Sequence, residues 1–311
     1  MMETSPCLSA YNIEMDYQNM MNRLNALSDA YDCLSITGIG QSILGRTIPM
    51  ISLGEGKTTV LYVGAHHGME WITSSVLLRF IHEYCRLKKY YGFIYKYNLE
   101  YLYKKYTIHI IPMLNPDGVE YQIHGIHSNH LLYSRVISMN GGSHDFSSWQ
   151  ANARGVDLNH NYAAGFWEYK KLEKNNGIEG GAPTRYSGEE PESEPEVGAI
   201  SSFLRYNETI TGVLTLHTQG EEIYFKSGKK ALPGTYKIAK NISEMTGYRI
   251  GQPDGPAAYG GLTDWCIEEL EIPSFTLECG KGKNPLPIKD WFSIYIRLRK
   301  LLFSFPTLFK K

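Results

Sequence analysis

The sequence predicts an α/β fold with a mixed, largely parallel central sheet that is covered by helices on both faces. Short, predominantly apolar runs, such as residues 60–63 and 213–216, alternate with longer segments of helical periodicity. Strands buried on both faces have this composition in parallel sheets, and the connecting helices cover the two faces. With 311 residues, of which 42% are hydrophobic, the chain is long enough to bury a large core.

The elements of the N-terminal half follow from periodicity. Apolar side chains line one side of residues 16–30, which predicts a helix. Residues 35–40 and 46–54 are predicted strands joined by a turn that is bounded by glycines. The same criteria predict a buried strand, an amphipathic helix and a second buried strand, in that order, over residues 58–64, 71–87 and 107–114.

The C-terminal half has one weak stretch and several clear elements. Residues 121–150 carry little periodicity and are predicted to be mostly loop. Ser193 and Glu196 have the spacing of a capping box, with Pro195 early in the helix, so a helix is predicted from there to about Arg205. Strands are then predicted over residues 212–217 and 274–277, and helices over residues 234–246, 263–270 and 290–302.

Domain organisation and charge narrow the possible partners. We expect residues 1–34 to form an N-terminal helical segment that packs on a catalytic domain of residues 35–311. The formal charge of -1 gives no overall field that would favour nucleic acid or an anionic membrane. No apolar run approaches the roughly 20 residues that span a bilayer. The sequence does not indicate an oligomeric state.

Cysteine usage and the N-terminus predict a location. The five cysteines are scattered and form no C-x-x-C pair, which favours a reducing compartment over a disulfide framework. Residues 1–16 lack a basic segment followed by an apolar one, so no secretory signal is visible. We therefore expect a cytoplasmic protein, with spore material or non-classical export as the open alternatives.

Three side chains at the ends of apolar runs form a candidate zinc site. His67 and Glu70 follow one run in H-x-x-E spacing, and His217 ends another. Ligands of parallel sheets bind beyond the carboxyl ends of the strands, so these residues are expected to meet. Two nitrogens and one carboxylate leave a tetrahedral position open for water, which predicts one catalytic Zn²⁺ per chain. His66 is a rival ligand, and a hydrogen-bonded core histidine is the alternative for His217.

Other side chains are suited to catalysis or substrate binding around that ion. Asp157 could fix the tautomer of His67, and Asn159 could hold a substrate carboxylate or amide. Glu278 ends a strand and is suited to general-base work, and Tyr259 precedes two glycines on a segment free to move. The alternatives are a polar turn around Asp157 and Asn159, an ordinary exposed carboxylate, and a packed loop aromatic.

Together these residues resemble the zinc metallocarboxypeptidases of the carboxypeptidase A type. The matching segments run in order through residues 40–46 (GQSILGR), 67–70 (HGME), 115–118 (NPDG), 155–159 (GVDLN), 216–217 (LH) and 275–278 (FTLE). More narrowly, residues 157–162, 258–261 and 278–287 are similar to those of bacterial γ-D-glutamyl-diamino acid peptidases. Such enzymes cut the bond between the γ-carboxyl of D-Glu and meso-diaminopimelate, or Lys, in peptidoglycan stem peptides.

The resemblance implies a role for each site residue. It implies zinc on His67, Glu70 and His217, with a peptidoglycan-derived peptide as substrate. Glu278 would be the general base and later the proton donor to the leaving amine. The resemblance further implies that Tyr259 contacts substrate and that Asn159 binds a carboxylate.

This chain departs from the family pattern at two arginines and gives no sign of a basic-residue pocket. It has His160, a predicted substrate-binding residue, where typical members have an arginine that grips the terminal carboxylate. It has Gln150 near the place of a second arginine that polarises the carbonyl. Arg154 lies close in sequence and is the predicted substitute for the second arginine. Thr263, in place of an acid, gives no support to a preference for ordinary basic C-terminal residues.

Several alternatives stay open at this point. A general metallocarboxypeptidase acting on α-peptides is the nearest, followed by an amidoacid deacylase and by an inactive module that binds zinc or cell-wall fragments. Residues 295–309 mix Arg and Lys with Leu and Phe, so they could contact a membrane, although packing on the sheet is favoured. His124, His127 and His130 could bind metal, although a loop with incidental histidines is favoured. The sequence leaves open whether the diamino acid is diaminopimelate or Lys. It also leaves open whether the enzyme acts as an endopeptidase or as a carboxypeptidase.

Overall fold

The computed structural model describes residues 11–252 and 255–309. Its strands are β1 Leu34–Gln41, β2 Thr47–Leu53, β3 Thr58–Val63, β4 Phe93–Ile94, β5 Tyr97–Asn98, β6 Tyr106–Ile111, β7 Ile210–His217, β8 Glu222–Tyr224, β9 Arg249–Ile250 and β10 Ser274–Glu278. Its helices are α1 Tyr17–Ala30, α2 Ile72–Tyr90, α3 Leu99–Lys105, α4 Pro116–His124, α5 Tyr133–Met139, α6 Phe166–Asn175, α7 Pro195–Arg205, α8 Thr235–Thr246, α9 Leu262–Glu268 and α10 Trp291–Ser304.

Eight strands form the central sheet, in the order β1-β2-β6-β3-β7-β10-β8-β9. The four inner strands from β6 to β10 are parallel to one another, whereas β1, β2 and β8 pair antiparallel with their inner neighbours. The predicted fold class, a mixed and largely parallel sheet, is therefore confirmed. The carboxyl ends of β3, β7 and β10 lie side by side, which places the residues that follow them at one edge of the sheet.

Apolar side chains cover both faces of this sheet. On one face α2 and α10 pack over residues such as Val60 and Tyr62, and the Tyr62 hydroxyl donates to the Leu302 carbonyl at 2.8 Å. On the other face α7 and α9 pack over Leu61 and Val63. A third apolar cluster, around Trp149, includes Ala151 and Ala153 from the segment that precedes Asp157. This scaffold fixes the strand ends on which the site is built.

Residues 121–150 were predicted to be mostly loop, but they contain the end of one helix and the whole of another. α4 extends to His124, and α5 follows at Tyr133–Met139. α5 buries Val136 alone, so its sequence lacks the apolar stripe by which a helix is recognised. α3 and α6, also missed, are short, and α6 buries a glutamate beside its two aromatic residues.

The predicted capping box at the start of α7 does not form. The helix begins at Pro195, with Glu194 as the N-cap residue and no side-chain capping bond. Ser193 instead donates its hydroxyl proton to Glu194 Oε1 at 2.9 Å. The Glu196 side chain is drawn inward toward Asn152, so it is unavailable for a reciprocal cap.

The first and last described helices pack against the core that covers the sheet. α1 buries Met20, Leu24 and Leu27, and the first ten residues of the predicted N-terminal segment lie outside the described residues. α10 buries Tyr295, Leu298 and other apolar residues in the core, which accounts for the mixed composition of residues 295–309. Over residues 11–252 and 255–309, no helix has the length and apolar character needed to cross a bilayer.

A buried ion pair between α2 and α10 gives a stability prediction. Although burial raises the pKa of the Glu83 carboxyl, hydrogen bonds from Arg299 and Tyr295 hold it below its usual value. Arg299→Met should lower the free energy of unfolding by about 2 to 3 kcal/mol, because it removes the guanidinium that donates two hydrogen bonds to a buried carboxylate. Urea unfolding at neutral pH measures this, with the exposed Lys300→Met as matched control.

The pH dependence of that difference has a defined sign. Because the folded-state pKa of Glu83 is lowered, the stability that it contributes is lost as the pH falls through that pKa. The gap between wild type and Arg299→Met should therefore shrink in acid. A gap that stays constant, or one that is no larger than that of Lys300→Met, would contradict the assignment.

Candidate active site

The turn after β3 brings His67 and Glu70 to the edge of the sheet. β3 ends at Val63, and a single 3-10 turn over Gly68–Glu70 follows at once. Gly68 is required there, because a Cβ atom would lie 2.3 Å from the carbonyl oxygen of Gly118. The turn places Glu70 with only 2% of its surface exposed. His67 is partly buried next to it.

β7 brings His217 to the same carboxylate. His67 Nδ1 lies 3.0 Å from Glu70 Oε1, and His217 Nδ1 lies 3.1 Å from Glu70 Oε2. The backbone N–H of Thr218 also donates to Glu70 Oε2, at 3.2 Å. His67, Glu70 and His217 each offer a ligand atom, and these atoms lie within 4.8 Å of one another.

Asp157 holds His67 from its other side. His67 Nε2 lies 3.1 Å from Asp157 Oδ1, so the predicted hydrogen bond to the nitrogen that does not face Glu70 is confirmed. The same carboxylate accepts the backbone N–H of Arg185 at 3.1 Å through Oδ2. This bond fixes the tautomer that presents Nδ1 to Glu70.

The three converging side chains fit a zinc ion. Burial lowers the pKa of His67, but the carboxylates of Glu70 and Asp157 outweigh it and raise that pKa well above its usual value. Burial likewise raises the pKa of Glu70, yet the two histidines bring it to about 2. The lowered pKa of Glu70 keeps it in the carboxylate form, which is the form that binds a metal ion. The Nδ1 atoms of two imidazoles lie around the Glu70 carboxylate, and the Asp157 carboxylate lies behind the His67 ring. This is the donor set of catalytic zinc sites.

Glu278 lies directly beside this cluster. It ends β10, and the parallel register pairs it with His217. Burial and the neighbouring Glu70 carboxylate raise the pKa of Glu278 to about 8. Glu278, His67, Glu70 and His217 all line one cavity of about 380 Å³.

The cavity holds two of the four other predicted site residues. Asn159 and His160 line it. Asn159 Oδ1 accepts the backbone N–H of Leu262 at 3.2 Å, and His160 Nδ1 lies 2.8 Å from the Tyr259 carbonyl. The His160 ring also stacks on Tyr169 with centroids 3.9 Å apart. Both side chains are therefore fixed by bonds to a neighbouring loop or helix.

The structure does not bring Arg154 or the Tyr259 ring to the cavity. The Arg154 guanidinium is half exposed, 3.7 Å from Glu194, so the structure does not support it as the substitute arginine. Its backbone N–H donates to Asn152 Oδ1 at 2.9 Å. The Tyr259 ring packs against Gly165, and substrate contact by Tyr259 stays a prediction.

Two cations that the sequence analysis missed line the cavity. Arg185 follows Thr184 on the loop that donates to Asp157, and its backbone has a φ of 67°. Lys226 follows β8. Gln150 lines the cavity too, where the family arginine was predicted to be absent. Arg185 lies on the loop between α6 and α7, where no periodicity in the sequence marks it.

The Asn-Pro-Asp-Gly segment supports the site without lining the cavity. Asn115 is fully buried and donates to the carbonyls of His66 at 3.0 Å and Gln150 at 3.1 Å. Asp117 accepts from the Ser42 hydroxyl at 2.9 Å and from Arg46 at 2.6 Å. This motif therefore clamps the turn after β1 and the segment beside His67.

The rival histidine ligands are placed elsewhere. His66 Nε2 lies 3.2 Å from the Tyr162 hydroxyl, and burial lowers its pKa well below the usual value. His124 lies with Asp16 and Glu120 in a surface group of potential ligands. Within residues 11–252 and 255–309, His127 and His130 belong to no such group.

Comparison with known proteins agrees with this geometry. A model of the zinc carboxypeptidase family matches residues 20–295. The chain is 36% identical over 280 residues to gamma-D-glutamyl-L-diamino acid endopeptidase 1 of Lysinibacillus sphaericus, which covers 90% of this chain and 69% of that protein.

Solved structures share the fold at low identity. Thrombin activatable fibrinolysis inhibitor superposes with a TM-score of 0.73 at 19% identity, over 96% of this chain and 75% of that one. Murein-tripeptide amidase MpaA of Escherichia coli O157 superposes with a TM-score of 0.53 at 17% identity, over 86% of this chain and 92% of that one. The sequence match over most of its length and the metal-ligand geometry together show that the chain is a metallopeptidase of the zinc carboxypeptidase family.

Proposed function

We propose that this protein hydrolyses the γ-D-glutamyl–diamino acid bond of peptidoglycan stem peptides or muropeptides, with meso-diaminopimelate as the diamino acid. One observation carries the proposal: the cavity beside Glu278 is lined by Arg185, whose guanidinium pairs with no carboxylate among the described residues. A γ-D-glutamyl substrate exposes an α-carboxylate on the acyl side that an α-peptide lacks. The relative from Lysinibacillus sphaericus, whose printed name states this activity, supports the same reading.

One zinc ion per chain would be held by His67, Glu70 and His217. When bound, zinc supplies a Lewis acid that polarises the scissile carbonyl and makes water acidic enough to attack it near neutral pH. Asp157 orients His67 for this role through the bond to Nε2. The burial of Glu70 and His217 keeps bulk water from competing for the donor atoms.

Glu278 moves the protons. As carboxylate it accepts a proton from the attacking water, and as acid it donates that proton to the nitrogen of the leaving diamino acid. Its position beside His217 in the register of β7 and β10 sets it next to the metal ligands.

Arg185, rather than Arg154, would supply the cation on the acyl side. Its backbone N–H donates to Asp157, which is itself hydrogen-bonded to His67. The main chain from which the guanidinium extends is therefore linked through Asp157 to a metal ligand. A cation there stabilises the D-Glu carboxylate or the negative charge that develops on the carbonyl oxygen. Asn159 and His160, which line the same cavity, would contact the carboxylate of the leaving residue.

Mass spectrometry of L-Ala-γ-D-Glu-meso-diaminopimelate after incubation with zinc-loaded protein tests the proposal. We expect release of free diaminopimelate, and we expect chelation to abolish it until zinc is restored. An α-linked peptide with the same C-terminal residue is the matched control substrate. Cleavage of the α-linked peptide alone would move the function to a general metallocarboxypeptidase, and cleavage of neither would favour a binding module.

A further inference from the structure

The register of β8 and β10 shows where the cavity leads from Glu278. Glu278 pairs with Glu222, and Thr276 pairs with Tyr224, in an antiparallel arrangement. Thr276 lies on the same face of β10 as Glu278, and two residues of strand place it about 6.6 Å away. Since both side chains line the cavity, the cavity extends from the catalytic end down β10 toward Thr276.

Lys226 lies at the far end of this path. It follows Tyr224 by two residues, in the direction that leads away from Glu278. Tyr224 and Lys226 are partly exposed, whereas Ile223 and Phe225 are buried in the core, so the Lys226 side chain is on the cavity face. Among residues 11–252 and 255–309, the Lys226 ammonium forms no ion pair with a carboxylate. Its Nζ lies 5.5 Å from the centre of the Phe225 ring, in a cation–π contact.

An acid and two hydroxyls share that end. Asp264 lines the cavity and is anchored by the backbone N–H of Gly261, which donates to its Oδ2 at 3.2 Å. The Thr263 and Thr276 hydroxyls lie 2.8 Å apart and line the cavity as well. The end of the cavity therefore offers an ammonium, a carboxyl group and hydroxyl groups together, a combination suited to a ligand that carries both an anionic and a cationic group.

We propose that Lys226 and Asp264 bind the zwitterionic end of the leaving residue's side chain, so that the enzyme selects diaminopimelate over Lys. The inference rests on the proposed function. Diaminopimelate ends in an ammonium and a carboxylate, which match Asp264 and Lys226. A lysine side chain ends in an ammonium alone, which leaves Lys226 unpaired and brings a like charge toward it.

A factorial set of substrates separates this inference from the proposed function. The acyl part is either γ-D-Glu or an α-linked residue, and the leaving residue is meso-diaminopimelate, its distal amide or Lys. kcat/KM is measured for wild type, Lys226→Met, Lys226→Arg and Asp264→Asn, each loaded with zinc. The acyl part tests the proposed function, and the leaving residue tests the role of Lys226.

Wild type should prefer diaminopimelate over its distal amide and over Lys by about 10- to 100-fold, the range expected for a hydrogen bond to a charged group. Lys226→Met should lose this preference by slowing the diaminopimelate substrate alone, and Lys226→Arg should restore most of it. This result supports the inference in whichever acyl series is cleaved. Equal preference in wild type and Lys226→Met, or an equal loss on all leaving residues, would overturn it. Asp264→Asn should weaken binding of all three leaving residues, because each carries the distal ammonium.

Discussion

Glu278→Gln is expected to lower turnover by about 10²- to 10⁴-fold while one zinc ion per chain stays bound. The amide keeps the shape of the side chain but can neither accept the proton of the attacking water nor return it to the leaving amine. The metal ligands are untouched, because Glu278 is next to His217 in the sheet and is not one of the three converging donors. This one substitution should therefore lower turnover and leave the zinc content unchanged.

The measurement is steady-state turnover of the γ-D-glutamyl tripeptide together with zinc content by elemental analysis. Glu222→Gln is the matched control, since Glu222 is paired with Glu278 across β8 and β10 but directs its carboxylate to Arg249. We expect the control to keep most of its turnover. If Glu278→Gln turned over within a few-fold of wild type, the base would have to be a different group.

The sequence predicted those parts of the site that follow directly from strand ends. His67, His217 and Glu278 each come at or just after an apolar run, and parallel strands bring their carboxyl ends together whatever the loops do. The same reasoning predicted the sheet, because strands buried on both faces have an unmistakable composition. Here a local pattern and a general rule of topology were sufficient.

The parts that were missed depend on loops. Arg154 was chosen because it is close in sequence to Gln150, but its guanidinium lies 3.7 Å from Glu194 and does not line the cavity. Arg185 is far from Gln150 in sequence, yet Thr184 bonds to Gln150 and brings Arg185 to the cavity. No periodicity encodes such a contact, since it depends on how two irregular segments pack.

Lys226 was missed for a different reason. β8 has only three residues, too few to predict from alternation, and its place in the sheet is set by pairing with β10. Once that pairing is known, the direction of Lys226 follows from the two-residue period of a strand. The register of the sheet therefore identifies Lys226 as a candidate specificity residue, although the sequence alone does not predict β8.

His217→Ala is expected to abolish turnover by removing the metal. Two remaining donors, His67 and Glu70, cannot complete the site, so zinc affinity should fall by more than the roughly 10- to 100-fold that loss of an outer hydrogen-bond partner costs. Competition with a chromophoric chelator measures the affinity, and circular dichroism checks that the chain is folded. His217→Gln, which fills more of the buried space, guards against a variant that fails to fold.

His66→Gln is the matched control for this experiment. His66 is also buried, and its ring stacks on His217 with centroids 5.1 Å apart, but its Nε2 is next to the Tyr162 hydroxyl rather than Glu70. We expect His66→Gln to keep stoichiometric zinc. The reverse result, zinc retained by His217→Ala and lost by His66→Gln, would make His66 the third ligand. Because Glu278→Gln keeps its zinc and His217→Ala does not, the two inactive variants together separate proton transfer from metal binding at neighbouring positions of the sheet.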